Sequence, residues 1–389
     1  MTAHLSLPRF ARIGPGAVDE IGAVIDQLGL QRPILVTDSY LTDTGAADRV
    51  MTLLRSAGKN PALFSGTVPD PTTDSLEEGL RIVAEHKADS VIGFGGGSPM
   101  DTAKALAILS ANGGEMRSYK APAVHTGPAL PIIAIPTTAG SGSEATQFTV
   151  ISDSASDEKM LCPGLSFLPV AAIVDFELTL SMPPRLTADT GIDALTHAIE
   201  AYVSKRAQPF TDALALAAIR SIGKHIVTAY EDGEDRTARE AMMVASTQAG
   251  MAFSNSSVAL VHGMSRPIGA HFHVAHGLSN AMLLPAITTF SVKGAENRYA
   301  DCARALGAAP ESANDAVAAQ LLVETLSSLC HDLKVPTPLE YGIDRDRWDA
   351  LVPLMARQAL ASGSPGNNPI VPTADQIETL YSEVFSCFL

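Results

Sequence analysis

At 389 residues the chain is long enough for two domains with substantial cores. A formal net charge of −15 argues against nucleic acid and anionic membrane as partners, so an anionic cofactor must be held by backbone amides and a few local cations. Hydrophobic residues make up 46%, yet no apolar run approaches the roughly 18 residues that span a bilayer, and the N-terminus MTAHLSLPRF lacks the charged-then-apolar pattern of a signal peptide.

The first half alternates short Val/Ile-rich strands with helical stretches, among them IGAVIDQLGL, ADRVMTLLRSAGK and LEEGLRIVAEHKA. That alternation predicts a parallel sheet covered by helices. PILVTDSYL reads as a strand ending in Asp38, a carboxylate placed as the ribose 2′-OH acceptor stands in a dinucleotide fold. In that role it would repel a 2′-phosphate and favour NAD over NADP. Ser90 to Phe94 reads as a second strand, followed by Gly95, Gly96 and Gly97, and Ser98 with Pro99 has the N-cap and first-turn chemistry that starts a helix. Three glycines remove every Cβ from a turn whose N–H groups and helix dipole can meet a pyrophosphate; an ordinary tight strand-to-helix turn has the same sequence. A third strand, in PIIAIPTTAGSGSEAT, ends in Thr137, Thr138, Gly140, Ser141, Gly142 and Ser143, as the ligand-facing edge of an α/β sheet does.

The pattern changes near Pro183 and Pro184, which divides the chain into an α/β domain, 1–183, and an all-helical domain, 184–389. LTHAIEAYVSK, FTDALALAAIRSIGKHIVTAY, REAMMVASTQAGMAF, ANDAVAAQLLVETLSSLCHDL and DRWDALVPLMARQAL all carry helical periodicity. Within TGIDALTHAIEAYVS, Asp193 and His197 are four residues apart and point the same way from adjacent turns. Alone, such a pair is as readily a surface pair or a core hydrogen bond. His262 and His276 fall in VHGMSRPIGAHFHVAHGLSN, a segment rich enough in Gly and Pro to bend and return ligands to the same point. A carboxylate with three imidazoles suits Fe²⁺ or Zn²⁺ better than Mg²⁺ or Ca²⁺. Cys162, Cys302, Cys330 and Cys387 are scattered, without a CxxC pair, so reduced thiols and cytoplasmic residence are expected.

GGGSPMDTAKA, PTTAGSGSEAT, VDFELTLSMPP, TGIDALTHAIEAYVS, VHGMSRPIGAHFHVAHG and NNPIVPTADQIETLY resemble, in order and spacing, the iron-containing (group III) alcohol dehydrogenase family, from about residue 5 to residue 385. The resemblance implies a dehydroquinate-synthase-like fold, with an N-terminal α/β dinucleotide-binding domain and an all-α metal-binding domain. It implies that Asp193, His197, His262 and His276 bind the metal, the set that spacing also picks out. It places Gly95, Gly96, Gly97 and Ser98 on the pyrophosphate with Asp101 close by, Asp38 on the adenosine ribose, and Thr137, Thr138 and Ser141 along the cofactor. Lys159 falls where members often carry a cofactor-contacting lysine. A homodimer is also implied.

Two departures stand out. Many members read VHGMAHPLGA, with a histidine thought to border the nicotinamide; this chain has Arg266 there. A guanidinium does not shuttle a proton near neutral pH, but it can grip a carboxylate, phosphonate or sulfonate. A salt bridge or a helix-end cap would use the same side chain. Asp70 replaces an asparagine frequent in the family's PNPT segment, where it could simply terminate a loop. Phe148 and Phe253 fit either a substrate pocket or the core, and His271 and His273, just before His276, fit a supporting or surface position as readily as a functional one.

The activity implied is a metal- and NAD-dependent alcohol dehydrogenase or aldehyde reductase, acting on a small alcohol or aldehyde and, through Arg266, on one with an anionic group. Two other classes fit these residues less well. A lyase of the dehydroquinate synthase kind needs a Lys/Arg cluster for its phosphate leaving group, and these motifs carry few such residues. A scaffold that keeps the fold would not need four ligands and a Gly-rich turn.

Overall fold

In a computed structural model, which describes residues 2–156 and 158–386, the chain divides into two compact units, His4–Ser181 and one beginning at Met182. Cys387 lies outside the described residues.

The first unit contains β1 (Phe10–Ile13), β2 (Pro33–Asp38), β3 (Ala62–Thr67), β4 (Ser90–Gly95), β5 (Ile132–Pro136), β6 (Phe148–Asp153), β7 (Glu158–Pro163) and β8 (Ala171–Val174). Six of them form one sheet in the order β1-β8-β5-β4-β2-β3, parallel throughout. Parallel strands covered on both faces must be apolar on both, and β4 and β5 are buried along their whole length. Alternate residues feed two cores: Ile34, Val36 and Val91 pack with Phe64 and Leu106 on one face, whereas Leu35, Ile92 and Phe94 pack with Ile21, Ile25 and Leu54 on the other. Strand order reverses between β2 and β4, so Asp38 and the Gly-rich turn sit at neighbouring strand ends of a topological switch point. The antiparallel pair β6–β7 was not expected from sequence.

The second unit is helical, with no strand among its described residues. Its longest helices are Pro184–Val203, Pro209–Glu231 and Arg236–Ser256. Pro184 opens the first of them at a position where a missing N–H costs nothing. The segment expected to bend through Gly and Pro is instead two helices, Leu260–Phe272 and His276–Ser291, each with an interior proline. The chain turns between them at His273, whose φ of 54° closes the first helix in the left-handed conformation. Among the described residues no helix is long and apolar enough to cross a membrane.

Candidate metal and cofactor sites

Asp193 and His197 occupy successive turns of Pro184–Val203, His262 stands in the first turn of Leu260–Phe272, and His276 is the first residue of His276–Ser291. One ligand-type atom from each of the four lies within 4.8 Å of the others. Asp193 Oδ1 is 3.6 Å from His262 Nε2 and 3.8 Å from His276 Nε2. Gly277 makes this closeness possible: a Cβ there would stand 2.4 Å from the Asp189 carbonyl oxygen and 3.3 Å from Asp193 Cβ. The helix that carries His276 therefore rests directly on the backbone of the helix that carries Asp193.

Asp193, His197 and His262 are buried, whereas His276 leaves 41% of its side chain exposed, so the group is open on one side. Burial alone would push the Asp193 carboxyl up, but the imidazoles of His197, His276 and His262 outweigh it and hold the group well below the usual carboxylate range. The Asn280 amide nitrogen, one turn beyond His276, lies 2.7 Å from Asp193 Oδ1, 3.1 Å from His262 Nε2 and 3.4 Å from His276 Nε2, while its Oδ1 is buried without a hydrogen-bond partner. A focus of acceptor atoms with an orphaned amide oxygen beside it fits a cation. The donors, one carboxylate oxygen and three imidazole nitrogens, fit Fe²⁺ or Zn²⁺.

Glu200, which sequence reasoning missed, organises this cluster. Its carboxylate accepts from His262 Nδ1 at 2.7 Å and from the amides of Ala259 and Val261 at 2.8 and 2.6 Å. It thereby closes the N-terminus of Leu260–Phe272 and keeps the His262 proton on Nδ1, leaving Nε2 as the lone-pair donor toward the group. The signal was present, since Glu200 follows Asp193 by seven residues on one helix face. The Phe253 ring stacks on the His197 ring with centroids 4.2 Å apart, so it walls that ligand. His271 is engaged by Gln358, and exposed His273 forms the helix break. Arg266 donates from Nη1 to Ser364 Oγ at 2.9 Å. Among the described residues no carboxylate reaches salt-bridge distance of it, so the ion pair considered from sequence is not formed.

In the first unit the helix after β4 begins at Gly97, with Gly96 rather than Ser98 as its N-cap, and no side chain caps it. Its leading amides are thereby left for a ligand. Gly95, at φ 147°, tolerates no Cβ, which would stand 2.5 Å from Pro99 Cγ; a Cβ on Gly96 would touch Thr138 at 3.4 Å, and one on Gly97 would face Ser141 at 3.6 Å. The Gly run and the Thr137–Ser141 edge therefore border one cradle, whose bare backbone fits a pyrophosphate. A cavity of about 400 Å³ lies at the ends of β2, β4 and β5, lined in part by Tyr40, Leu41, Thr44, Phe94, Thr137 and Leu178.

Three residues assigned to the cofactor also have protein partners. The Asp101 carboxylate accepts from Ser143 Oγ and the Val150 amide, and burial pushes it up to about 6. With Lys104 it ties the helix Gly97–Asn112 to the loop 143–148; the Lys104 ammonium, buried and lowered to about 8 by desolvation, donates to Ser143, Thr146 and the Phe148 carbonyl. Lys159 pairs with Asp70 at 2.8 Å, so Asp70, itself at φ 50°, does more than end a loop. Asp38 Oδ1 accepts from the Leu41 amide as the N-cap of Ser39–Asp43.

The iron-containing alcohol dehydrogenase family matches residues 8–176, and the family's C-terminal region matches residues 187–385. The NAD-dependent methanol dehydrogenase of Bacillus methanolicus is 37% identical over 372 residues, covering 95% of this chain and 97% of that one. Lactaldehyde reductase of Escherichia coli K12 is 36% identical over 384 residues, covering 98% and 99%. The crystal structure of a 1,3-propanediol oxidoreductase superposes with a TM-score of 0.94 at 33% identity, covering 99% of this chain and all of that one. With the four-ligand cluster, the Gly-rich cradle and these matches across both units, the chain belongs to the iron-containing alcohol dehydrogenase family.

Proposed function

We propose that the protein is a metal- and NAD-dependent alcohol dehydrogenase or aldehyde reductase. The convergence of Asp193 with three imidazoles is the observation that carries the reading. Bound, a divalent cation would supply Lewis acidity toward an alcohol or carbonyl oxygen, and NAD would supply the hydride carrier. Asp193, His197, His262 and His276 would hold the cation, Fe²⁺ in preference and Zn²⁺ as the alternative. Glu200 orients His262, and Phe253 shields one face of His197. The uncapped amides of Gly97 and Ser98, with Thr138 and Ser141, would cradle the pyrophosphate. Thr137, on the cavity wall, would line the adenosine end, and Asp38 would take the ribose. We read the protein as a cytoplasmic homodimer: the family resemblance supports the dimer, and the free buried thiols of Cys162, Cys302 and Cys330 support a reducing compartment.

The test is metal removal. His262→Ala and His276→Ala should each lose bound metal by elemental analysis and nearly all net NADH production from an alcohol panel, while retaining the wild-type circular dichroism spectrum and NAD binding. Full turnover by metal-stripped protein would refute the reading.

A further inference from the structure

Arg266 follows His262 by four residues on the helix Leu260–Phe272, so the two side chains leave the same face from adjacent turns. Its position is fixed from outside the helix. Gly263 lets the helix approach Pro365 so closely that a Cβ there would stand 2.7 Å from the Pro365 ring, and the same turn presents Ser364 Oγ to Arg266 Nη1. Among the described residues, only that one N–H of the guanidinium has a protein partner. Arg239 shows what a purely structural buried arginine looks like in this unit: its Nε, Nη1 and Nη2 donate to Gly233, Thr187 and Met182. The free nitrogens of Arg266 are not sealed in either. Arg185 Nε and Arg304 Nε are among the buried side-chain atoms without a partner, and no atom of Arg266 is. The acidic group that acts on it, Glu200, has its oxygens committed to His262, Ala259 and Val261. Desolvation lowers the guanidinium to about 10, which still leaves it cationic at neutral pH. An anchored cation whose remaining donors meet no carboxylate among the described residues is built to receive an anion.

We propose that Arg266 forms an oxyanion subsite beside the metal ligands, so that the substrate is a short alcohol or aldehyde bearing a carboxylate, sulfonate or phosphonate. One helical turn, about 6 Å along the axis, separates the roots of His262 and Arg266, which suits a chain of two or three carbons. The subsite rests on the dehydrogenase reading above, and it deepens that reading by naming the substrate class.

The test compares 3-hydroxypropanoate with 1-propanol, and 2-hydroxyethanesulfonate with ethanol, on the metal-loaded full chain with NAD. The anionic member should have the higher kcat/KM in at least one pair, and Arg266→Leu should lower the anionic-to-neutral ratio tenfold or more, chiefly through KM. By calorimetry on the same loaded protein, propanoate or ethanesulfonate should bind at least tenfold more weakly to Arg266→Leu. Should Arg266→Leu not fold, Arg266→Gln is read in its place. A wild-type preference for the neutral alcohol in both pairs, a ratio unmoved by the substitution, or equal binding of both anions overturns the subsite. Absence of turnover with all four alcohols counts against the dehydrogenase reading, and calorimetry then decides the subsite alone.

Discussion

The Asp38 carboxylate commits one oxygen to the Leu41 amide at 3.0 Å, and its other oxygen has no partner among the described residues. Sequence showed the strand end and the charge but not the cap, because a strand-to-helix junction and a ribose acceptor ask for the same residue type. Two substitutions separate the roles. Asp38→Asn keeps an N-cap of equal quality and removes only the charge, so it should narrow the preference for NAD over NADP by on the order of 1 to 3 kcal/mol with little change in melting temperature. Asp38→Ala should narrow the preference as much and also cost about 1 kcal/mol of stability. The checks are kcat/KM with each cofactor and a thermal melt. Equal use of both cofactors by the unmodified protein would count against the ribose role. Lys159 was legible as a family-like lysine and Asp70 as a departure, yet their pairing was not, since 89 residues separate them and only the fold joins them.

Among the elements, the helix bearing Asp193 and His197 was legible because spacing of four on a periodic segment fixes a common face. The helices bearing His262 and His276 were not. Gly263, Pro267 and Gly269 read as breakers, whereas in the fold Gly263 serves close approach to Pro365 and Pro267 is accommodated inside the helix. Gly277 is the sharper case, since a hydrogen where other residues carry Cβ lets one ligand-bearing helix rest on the backbone of the other. Gly277→Ala must drive the helix His276–Ser291 away from the Asp189 carbonyl, at a typical overpacking cost of about 1 to 3 kcal/mol, and His276 moves with it. Metal affinity should fall tenfold or more by competition with a chelator. Gly366→Ala, where nothing lies within 4 Å, is the matched control and should leave both metal affinity and melting temperature near wild type. Wild-type affinity in Gly277→Ala would mean that the ligand geometry tolerates a shifted helix.

Across the whole chain, the two compact units carry different ligand-type surfaces: the ligand cluster lies in the unit from Met182 onward, and the Gly-rich cradle lies in His4–Ser181. Each ligand should therefore leave its own footprint in amide exchange. A ligand that binds only the native state at a hundredfold excess over its Kd stabilises by about 2.7 kcal/mol, and the segments that hold it gain most protection. Fe²⁺ or Zn²⁺ should slow exchange most in 189–200 and 259–280, where the ligands, Glu200 and Asn280 are joined by hydrogen bonds. NAD should act most on 94–104 and 137–146, the uncapped helix start and the loop that Lys104 holds. Hydrogen exchange read by mass spectrometry with each ligand alone separates the two patterns, and chelation should reverse the first without touching the second. If metal left 189–200 and 259–280 unchanged while protecting other segments, the four residues that sequence spacing and the fold both bring together would not be where the cation binds.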